Sequence, residues 1–313
     1  AREAGLSVIP GTQALRSVQE AAEEAEKLGY PVMLKACAGG GGRGIRLVRD
    51  ENELEEAYMQ AAGEAQSAFG DGSVYLEKYI YPARHVELQI LADEQGHVVC
   101  LGDRDCSLQR RNQKLIEETP SPAVDSRSRS EIIDLAVQAV KKIGYVGAGR
   151  LEFLLDEEGR FWFMEMNVRL QVEHCATEML TGIDLVKWQI RIAAGIGLSF
   201  EQKDISMKGS AIECRINARG CGTLKLLHVP GGPSLRFDTF LMAGTAVSPY
   251  YDSLLGKLAV FAGTREEALR KMRAALCELV IAGIPTNIEE QLHIVEDERF
   301  TSGNYNLTFM GNR

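Results

Sequence analysis

A chain of 313 residues is too long for one small core and predicts two or three lobes. Its 45% hydrophobic and 25% charged residues describe an ordinary globular protein, and a net charge of −9 argues against nucleic acid as the main partner, because phosphate binding needs a basic surface. No apolar run approaches the length of a membrane span and no basic-apolar-small leader opens the chain. The 7 cysteines are scattered without a CxxC pair, which excludes a disulfide framework and predicts a reduced, cytoplasmic setting away from membranes.

In chain order, residues 13–28 read as an acidic helix, 30–36 and 43–48 as strands, and 51–69 as a second helix. Strands follow at 75–80, 84–92 and 98–101, with a turn at 93–96 between the last two. A helix is expected over 127–143, capped by Asp125 or Ser126, then a hairpin over 149–173 and a helix over about 183–195. The character of the sequence breaks at 205–210. Beyond it, strands at 211–217, 223–228, 234–240 and 257–262 precede helices at 265–280 and 286–297. This is an α+β layout with mostly antiparallel strands. A local basic cluster stands out at Arg104, Arg110, Arg111 and Lys114.

The 149–173 hairpin carries the most chemistry. Aromatic and aliphatic residues alternate with Glu165, Asn167, Arg169 and Glu173, so one face of an extended strand is charged in a core-like setting. Burying those charges is costly unless a metal ion or an anion pairs with them. The turn Asp156-Glu157-Glu158-Gly159 leads back to Glu152. With an even-numbered loop, Glu152 shares a face with Glu165 and Asn167, and two carboxylates and an amide oxygen form a hard-oxygen site suited to Mg²⁺. A three-residue loop would put the carboxylates on opposite faces. The competing reading is a solvated hairpin face, which fits poorly beside Trp162 and Phe163.

Between two strands lies Lys35-Ala-Cys-Ala-Gly39-Gly40-Gly41-Gly42-Arg43-Gly44. It is neither a Walker A loop nor a dinucleotide fingerprint, because no Gly-Lys-Ser/Thr closes it and no helix follows. Consecutive glycines let backbone N–H groups approach phosphate oxygens, and Lys35 can aim a charge at the same phosphates. A mobile phosphate flap over Gly39–Gly44 is expected, the alternative being a flexible hairpin tip.

Together with Glu77-Lys78-Tyr79, Arg84-His85-Val86-Glu87, Arg104-Asp105-Cys106-Ser107, Gln171-Val172-Glu173-His174 and Tyr250-Tyr251-Asp252-Ser253, these motifs run through nearly the whole chain in one order. The combination resembles the biotin carboxylases of the ATP-grasp superfamily, a component of carboxylases such as acetyl-CoA carboxylase in fatty acid biosynthesis. The resemblance implies an ATP-grasp lid lobe over 1–78, a core lobe over 79–206 with Mg·ATP bound between the two, and a biotin carboxylase C-terminal domain over 207–313. It assigns Lys35, Gly41, Gly42, Glu77, Lys78, Ile80, His85 and Asn112 to ATP, and Glu152, Glu165 and Asn167 to Mg²⁺, with Mn²⁺ as a substitute. Lys114, Arg169, Gln171 and Val172 are given to bicarbonate, Glu173 becomes the general base, and Arg236 faces the ureido oxygen of biotin. The partners it implies are a biotin carboxyl carrier protein or domain and a carboxyltransferase, with room for a homodimer.

His85 alone would read as a core histidine and Arg236 as a surface strand residue. Three departures stand out. The family's Rossmann-like first domain is absent from this sequence. Asn112 stands where the family has histidine, and the loop at Asn217–Thr223 is shorter than the family's. Two other readings remain open at this point: another ATP-grasp ligase working through an acyl phosphate, and a nucleotide-binding module without turnover.

Overall fold

A computed structural model describes residues 1–38 and 44–311 and resolves two compact units, Ser7–Tyr81 and Ala1–Leu6 with Pro82–Arg313. Glycines 41 and 42 lie outside the described residues.

In the Ser7–Tyr81 unit, α1 (Val18–Leu28) begins later than its periodicity suggests, because Ser17 Oγ caps it by accepting the Glu20 N–H at 3.1 Å. The strands β1 (Val32–Ala36) and β2 (Ile45–Val48) are followed by α2 (Glu51–Phe69), which has the limits expected from sequence, with Asp50 as its cap. Gly70, at φ 76°, ends α2 in the left-handed conformation that glycine adopts freely. The strand β3 (Val74–Lys78) completes an antiparallel sheet in the order β2-β1-β3. Val32, Leu34, Leu76, Val74, Ala21, Ala25, Leu54 and Ala61 form its core, so α1 and α2 lie on the sheet through their small and branched residues.

The larger unit is built on one sheet. Its first strands are β4 (Ala83–Ala92), β5 (Val98–Arg110) and β6 (Gln113–Thr119). After α3 (Ser126–Lys142) come β7 (Gly147–Asp156), β8 (Phe161–Asn167), α4 (His174–Thr181) and α5 (Leu185–Ala193). The remainder holds β9 (Ser210–Asn217), β10 (Gly222–Thr223), β11 (Leu226–His228), β12 (Leu235–Thr239), β13 (Ala246–Val247) and β14 (Leu254–Ala262). It ends with α6 (Arg265–Glu278), β15 (Val280–Ala282), α7 (Ile288–Glu296) and α8 (Glu298–Thr301). Eight strands join in the order β12-β14-β9-β6-β5-β4-β7-β8, every neighbour antiparallel. Because β6 pairs with β9, the sheet runs without interruption across position 207.

Two sequence expectations give way here. The strand expected to end at Leu101 continues to Arg110 and turns directly into β6 through Arg111 and Asn112, at φ 50° and 64°. Two left-handed residues make the tight turn that suits a two-residue hairpin, and asparagine tolerates that conformation well. The charged run was legible only as a basic cluster because its partners are distant in sequence. Arg104 is in fact fully buried against Glu87, and Arg110 pairs with Glu290. On the opposite face Asp103 takes Arg129 Nε at 2.6 Å, Asp105 takes Arg84 Nη1 at 3.2 Å, and Glu118 takes Arg265 Nε at 2.6 Å.

The second correction concerns β8, which stops at Asn167; Glu173 sits in the turn entering α4, a helix the sequence reading missed. The loop after Asn217 is as short as the sequence indicates. It closes compactly, with Ala218 N–H on Ser253 O at 2.7 Å and Arg219 N–H on Pro285 O at 2.8 Å.

Candidate active site

The 149–173 hairpin resolves its own ambiguity. Asp156 N–H bonds to Arg160 O, which leaves Glu157–Gly159 as the odd-numbered loop that would have separated the carboxylates. A register shift between Phe153↔Phe163 and Glu152↔Glu165 makes Met164 an extra residue in β8 and restores the parity. Glu152 therefore stands directly opposite Glu165, and Arg150 opposite Asn167. Asn167 Nδ2 donates to Glu152 Oε1 at 2.8 Å and to Glu165 Oε1 at 2.7 Å. Two carboxylates and one amide side chain thus meet at one spot, a donor set that fits a hard divalent cation. His85 Nε2 lies 2.8 Å from Glu152 Oε2, and its Nδ1 lies 2.9 Å from Gln109 Nε2. Burial opposes the Glu152 charge, but the His85 contact and Arg150 hold its carboxyl below the ordinary range.

Beside this spot lies a buried ion cluster. Glu87 on β4 accepts Arg104 Nε at 2.7 Å and Lys114 Nζ at 2.7 Å, and is also bonded by Arg150 Nη1. Glu173 accepts Lys114 Nζ at 2.6 Å on one oxygen and Arg215 Nη2 at 2.9 Å on the other, with Arg150 Nη1 again a partner. Arg150 therefore touches Glu87, Glu152 and Glu173 together. Burial and the neighbouring Glu87 push the Glu173 carboxyl upward, but Lys114, Arg215 and Arg150 bring it below the ordinary range, so it is ionised at neutral pH. Glu173 is 1% exposed, and its backbone stands at the N-terminus of α4, where negative charge is favoured.

The other site residues expected from sequence divide by environment. Gln171 is buried, and its carbonyl accepts from His174 Nδ1 at 2.8 Å; the Val172 carbonyl accepts Lys257 Nζ at 2.9 Å. Arg169 is exposed, with Nη1 on the Leu170 carbonyl at 3.4 Å, rather than on an extended strand pointing with Glu173. Asn112 is an exposed turn residue. In the Ser7–Tyr81 unit Lys35 pairs with Glu77, Lys78 Nζ donates to Gly29 O at 2.6 Å, and Ile80 is half-buried just beyond β3. On β12, Arg236 gives Nε and Nη2 to Asp238 at 2.8 and 2.7 Å and Nη1 to Glu178 at 2.6 Å.

Sequence reasoning passed over Glu87, Arg104, Arg150, Glu117, Glu213 and Arg215 as members of this cluster. A signal existed: Glu213/Arg215 and Arg150/Glu152 each occupy alternate positions on one face of a strand, the period of a sheet. What could not be read was which strands lie side by side. Glu213 faces Glu117 across β9 and β6, and its Oε1 has no hydrogen-bond partner among the described residues. Burial first, and then the Glu117 charge, push the Glu213 carboxyl up to about 8. Its neutral form is the one the fold accommodates. Its stabilising contribution is therefore complete below the ordinary carboxyl pKa and is lost as pH rises through about 8. Glu213→Gln is expected to flatten the decline in unfolding free energy between pH 5 and 8, read from urea denaturation at each pH. An unchanged slope would place the ionisation elsewhere.

Comparison with known proteins agrees with this architecture. Residues 1–201 match the family model of the carbamoyl-phosphate synthase L chain ATP-binding domain, and residues 213–312 match that of the biotin carboxylase C-terminal domain. The first match places the chain in the ATP-grasp class of ligases. Biotin carboxylase 1 of Bacillus subtilis is 48% identical over 99% of this chain and 71% of its own length. The biotin carboxylase domain of Hydrogenobacter thermophilus 2-oxoglutarate carboxylase, a dimer in complex with MgADP, ADP and bicarbonate, is 47% identical. It superposes with a TM-score of 0.96 over 99% of this chain and 70% of that one. A Campylobacter jejuni biotin carboxylase in complex with a β,γ-ATP ligand gives a TM-score of 0.97 at 44% identity, over 100% of this chain and 72% of that one. The chain belongs to the biotin carboxylase family. No helix among the described residues is long and apolar enough to cross a membrane.

Proposed function

We propose that this chain carries out ATP-dependent carboxylation of biotin with bicarbonate, on a carrier protein or domain that afterwards delivers the carboxyl group to a carboxyltransferase. The observation that carries the reading is Glu173: a buried carboxylate kept ionised by Lys114, Arg150 and Arg215, next to the convergent Glu152, Glu165 and Asn167. A group so placed can accept the bicarbonate proton as a bicarbonate oxygen attacks the γ-phosphorus of ATP. Lys114 and Arg169 are assigned to the bicarbonate anion, with Gln171 and Val172 supplying polar contacts from the turn. Glu152, Glu165 and Asn167 would hold Mg²⁺, which supplies charge neutralisation on the phosphates. Lys35, Gly41, Gly42, Glu77, Lys78, Ile80, His85 and Asn112 are assigned to the nucleotide. Arg236 is assigned to the ureido oxygen, where a fixed guanidinium stabilises the negative charge that develops as N1 is carboxylated.

Phosphate release that requires both bicarbonate and ATP and rises with free biotin is the expected result. Release independent of biotin would favour another acyl-phosphate ligase, and nucleotide binding without release a module lacking turnover. The metal assignment is checked separately. Glu165 is exposed, so Glu165→Gln should weaken Mg²⁺-dependent nucleotide binding, measured by calorimetry, while the melting temperature without ligand stays nearly unchanged. Unaltered Mg·ATP affinity would remove Glu165 from the metal site.

A further inference from the structure

Next to the assigned groups lies a cluster that none of those roles uses. Asp238, which grips Arg236 with both oxygens, also accepts from Cys175 Sγ at 3.1 Å and lies 3.6 Å from Lys257 Nζ. Lys257 Nζ donates to Cys175 Sγ at 2.7 Å and to the Val172 carbonyl at 2.9 Å. Sheet register produces this array, since Asp238 on β12 stands opposite Lys257 on β14, and Lys257 opposite Arg215 on β9. Arg215 in turn holds Glu173 Oε2 at 2.9 Å. Two of the three ammonium donors of Lys257 are thus committed to the turn and to Cys175, and the remaining charge faces Asp238. Its side chain is 12% exposed, so these contacts form in a setting where water competes little.

We propose that Lys257, acting with Asp238, is a positioning residue for carboxyl transfer to biotin: it ties the turn that carries Glu173 to the carboxylate that orients Arg236. The proposal rests on the roles given above to Glu173 and Arg236. Activation of bicarbonate consumes ATP at Glu173 and does not involve Arg236. Transfer requires the biotin ureido group, held at Arg236, to lie within reach of the activated carboxyl group. When the tie is cut, the bond between the carboxyl carbon and the oxygen it shares with phosphorus still breaks, and phosphate still leaves with that oxygen and the bonding electron pair. The carboxyl carbon then departs as CO₂ instead of forming the bond to N1. Glu173 keeps Lys114, Arg150 and Arg215 when Lys257 is removed, so Lys257 governs coupling rather than ATP turnover.

The test uses the full-length protein with ATP, bicarbonate and free biotin, measuring phosphate released and carboxybiotin formed in the same sample. Lys257→Met keeps the aliphatic stem and removes the ammonium. Bicarbonate-dependent ATP hydrolysis should stay near the parent rate with an unchanged KM for ATP, while carboxybiotin per ATP falls by on the order of 10–10²-fold, the usual consequence of misplacing a reacting group by about 1 Å. Asp238→Asn should produce the same uncoupling, and it serves as the second variant if Lys257→Met does not fold. Arg236→Met is the reference. Should Arg236→Met itself retain parent carboxybiotin formation, the assignment of Arg236 fails, and the relay fails with it. If Arg236→Met is impaired while both other variants keep the parent ratio, the relay alone is overturned. Equal loss of hydrolysis and carboxybiotin in Lys257→Met and Asp238→Asn would also overturn it, because a merely structural residue lowers both together.

Discussion

Glu173→Gln is expected to lower carboxybiotin formation by on the order of 10²–10⁴, the contribution of a positioned general base, while ATP binds with little change. The substitution keeps the shape of the side chain and most of its hydrogen bonds. Lys114, Arg150 and Arg215 retain Glu87, Glu152 and Glu117 as partners, so the surrounding cluster keeps its main anchors. What is lost is an anionic oxygen pair that combines burial, a turn position and three cations. The check is carboxybiotin measured in the full-length protein, with nucleotide affinity measured alongside. Carboxybiotin formed at the parent rate would make Glu173 a structural member of the ion cluster, and the base would have to be sought elsewhere.

Glu87→Gln should have the largest effect on stability, a loss of about 3–5 kcal/mol, the range found when one partner of a buried ion cluster is removed. Glu87 is fully buried, and Arg104, Lys114 and Arg150 all bond to it. Burial disfavours its charge, yet those cations hold its carboxyl well below the ordinary range. A neutral amide would leave Arg104, at 0% exposure, without its ionic partner. The sign of the pH dependence follows from the lowered pKa. The stabilisation is present above the ordinary carboxyl pKa and is lost as pH falls through the lower value in the fold. Urea midpoints of parent and variant should therefore differ most near neutral pH and converge in strong acid. A midpoint at neutral pH equal to that of the parent would show that the cluster is not charge-balanced through Glu87.

The sequence reading recovered what local rules govern. The helix at Glu51–Phe69 has a capping aspartate at one end and a glycine at the other, and the strands at 84–92 and 211–217 alternate cleanly, so each is legible from its own residues. Glu152, Glu165 and Asn167 were likewise visible as a polar face within one hairpin. The tertiary structure alone decided whether they meet. The loop length pointed the wrong way, and one extra residue in β8, at Met164, brings the two carboxylates back into register. Such a bulge leaves no composition signal, because it depends on how a strand is held by its neighbours.

The same distinction separates Glu173 from the cluster that ionises it. Glu173 could be picked out by its motif, but Lys114, Arg150 and Arg215 come from β6, β7 and β9. Arg104 read only as part of a basic cluster, and the charges of Asp103 and Asp105 beside it were not singled out, for a related reason. A charged residue is buried only when its counter-ion arrives, and the counter-ions Arg129, Glu87 and Arg84 lie 26, 17 and 21 residues away along the chain. Sequence therefore determined the chemical groups and most of the elements that carry them. The order of strands in the sheet decided which charges pair, and pairing is what keeps a buried carboxylate ionised.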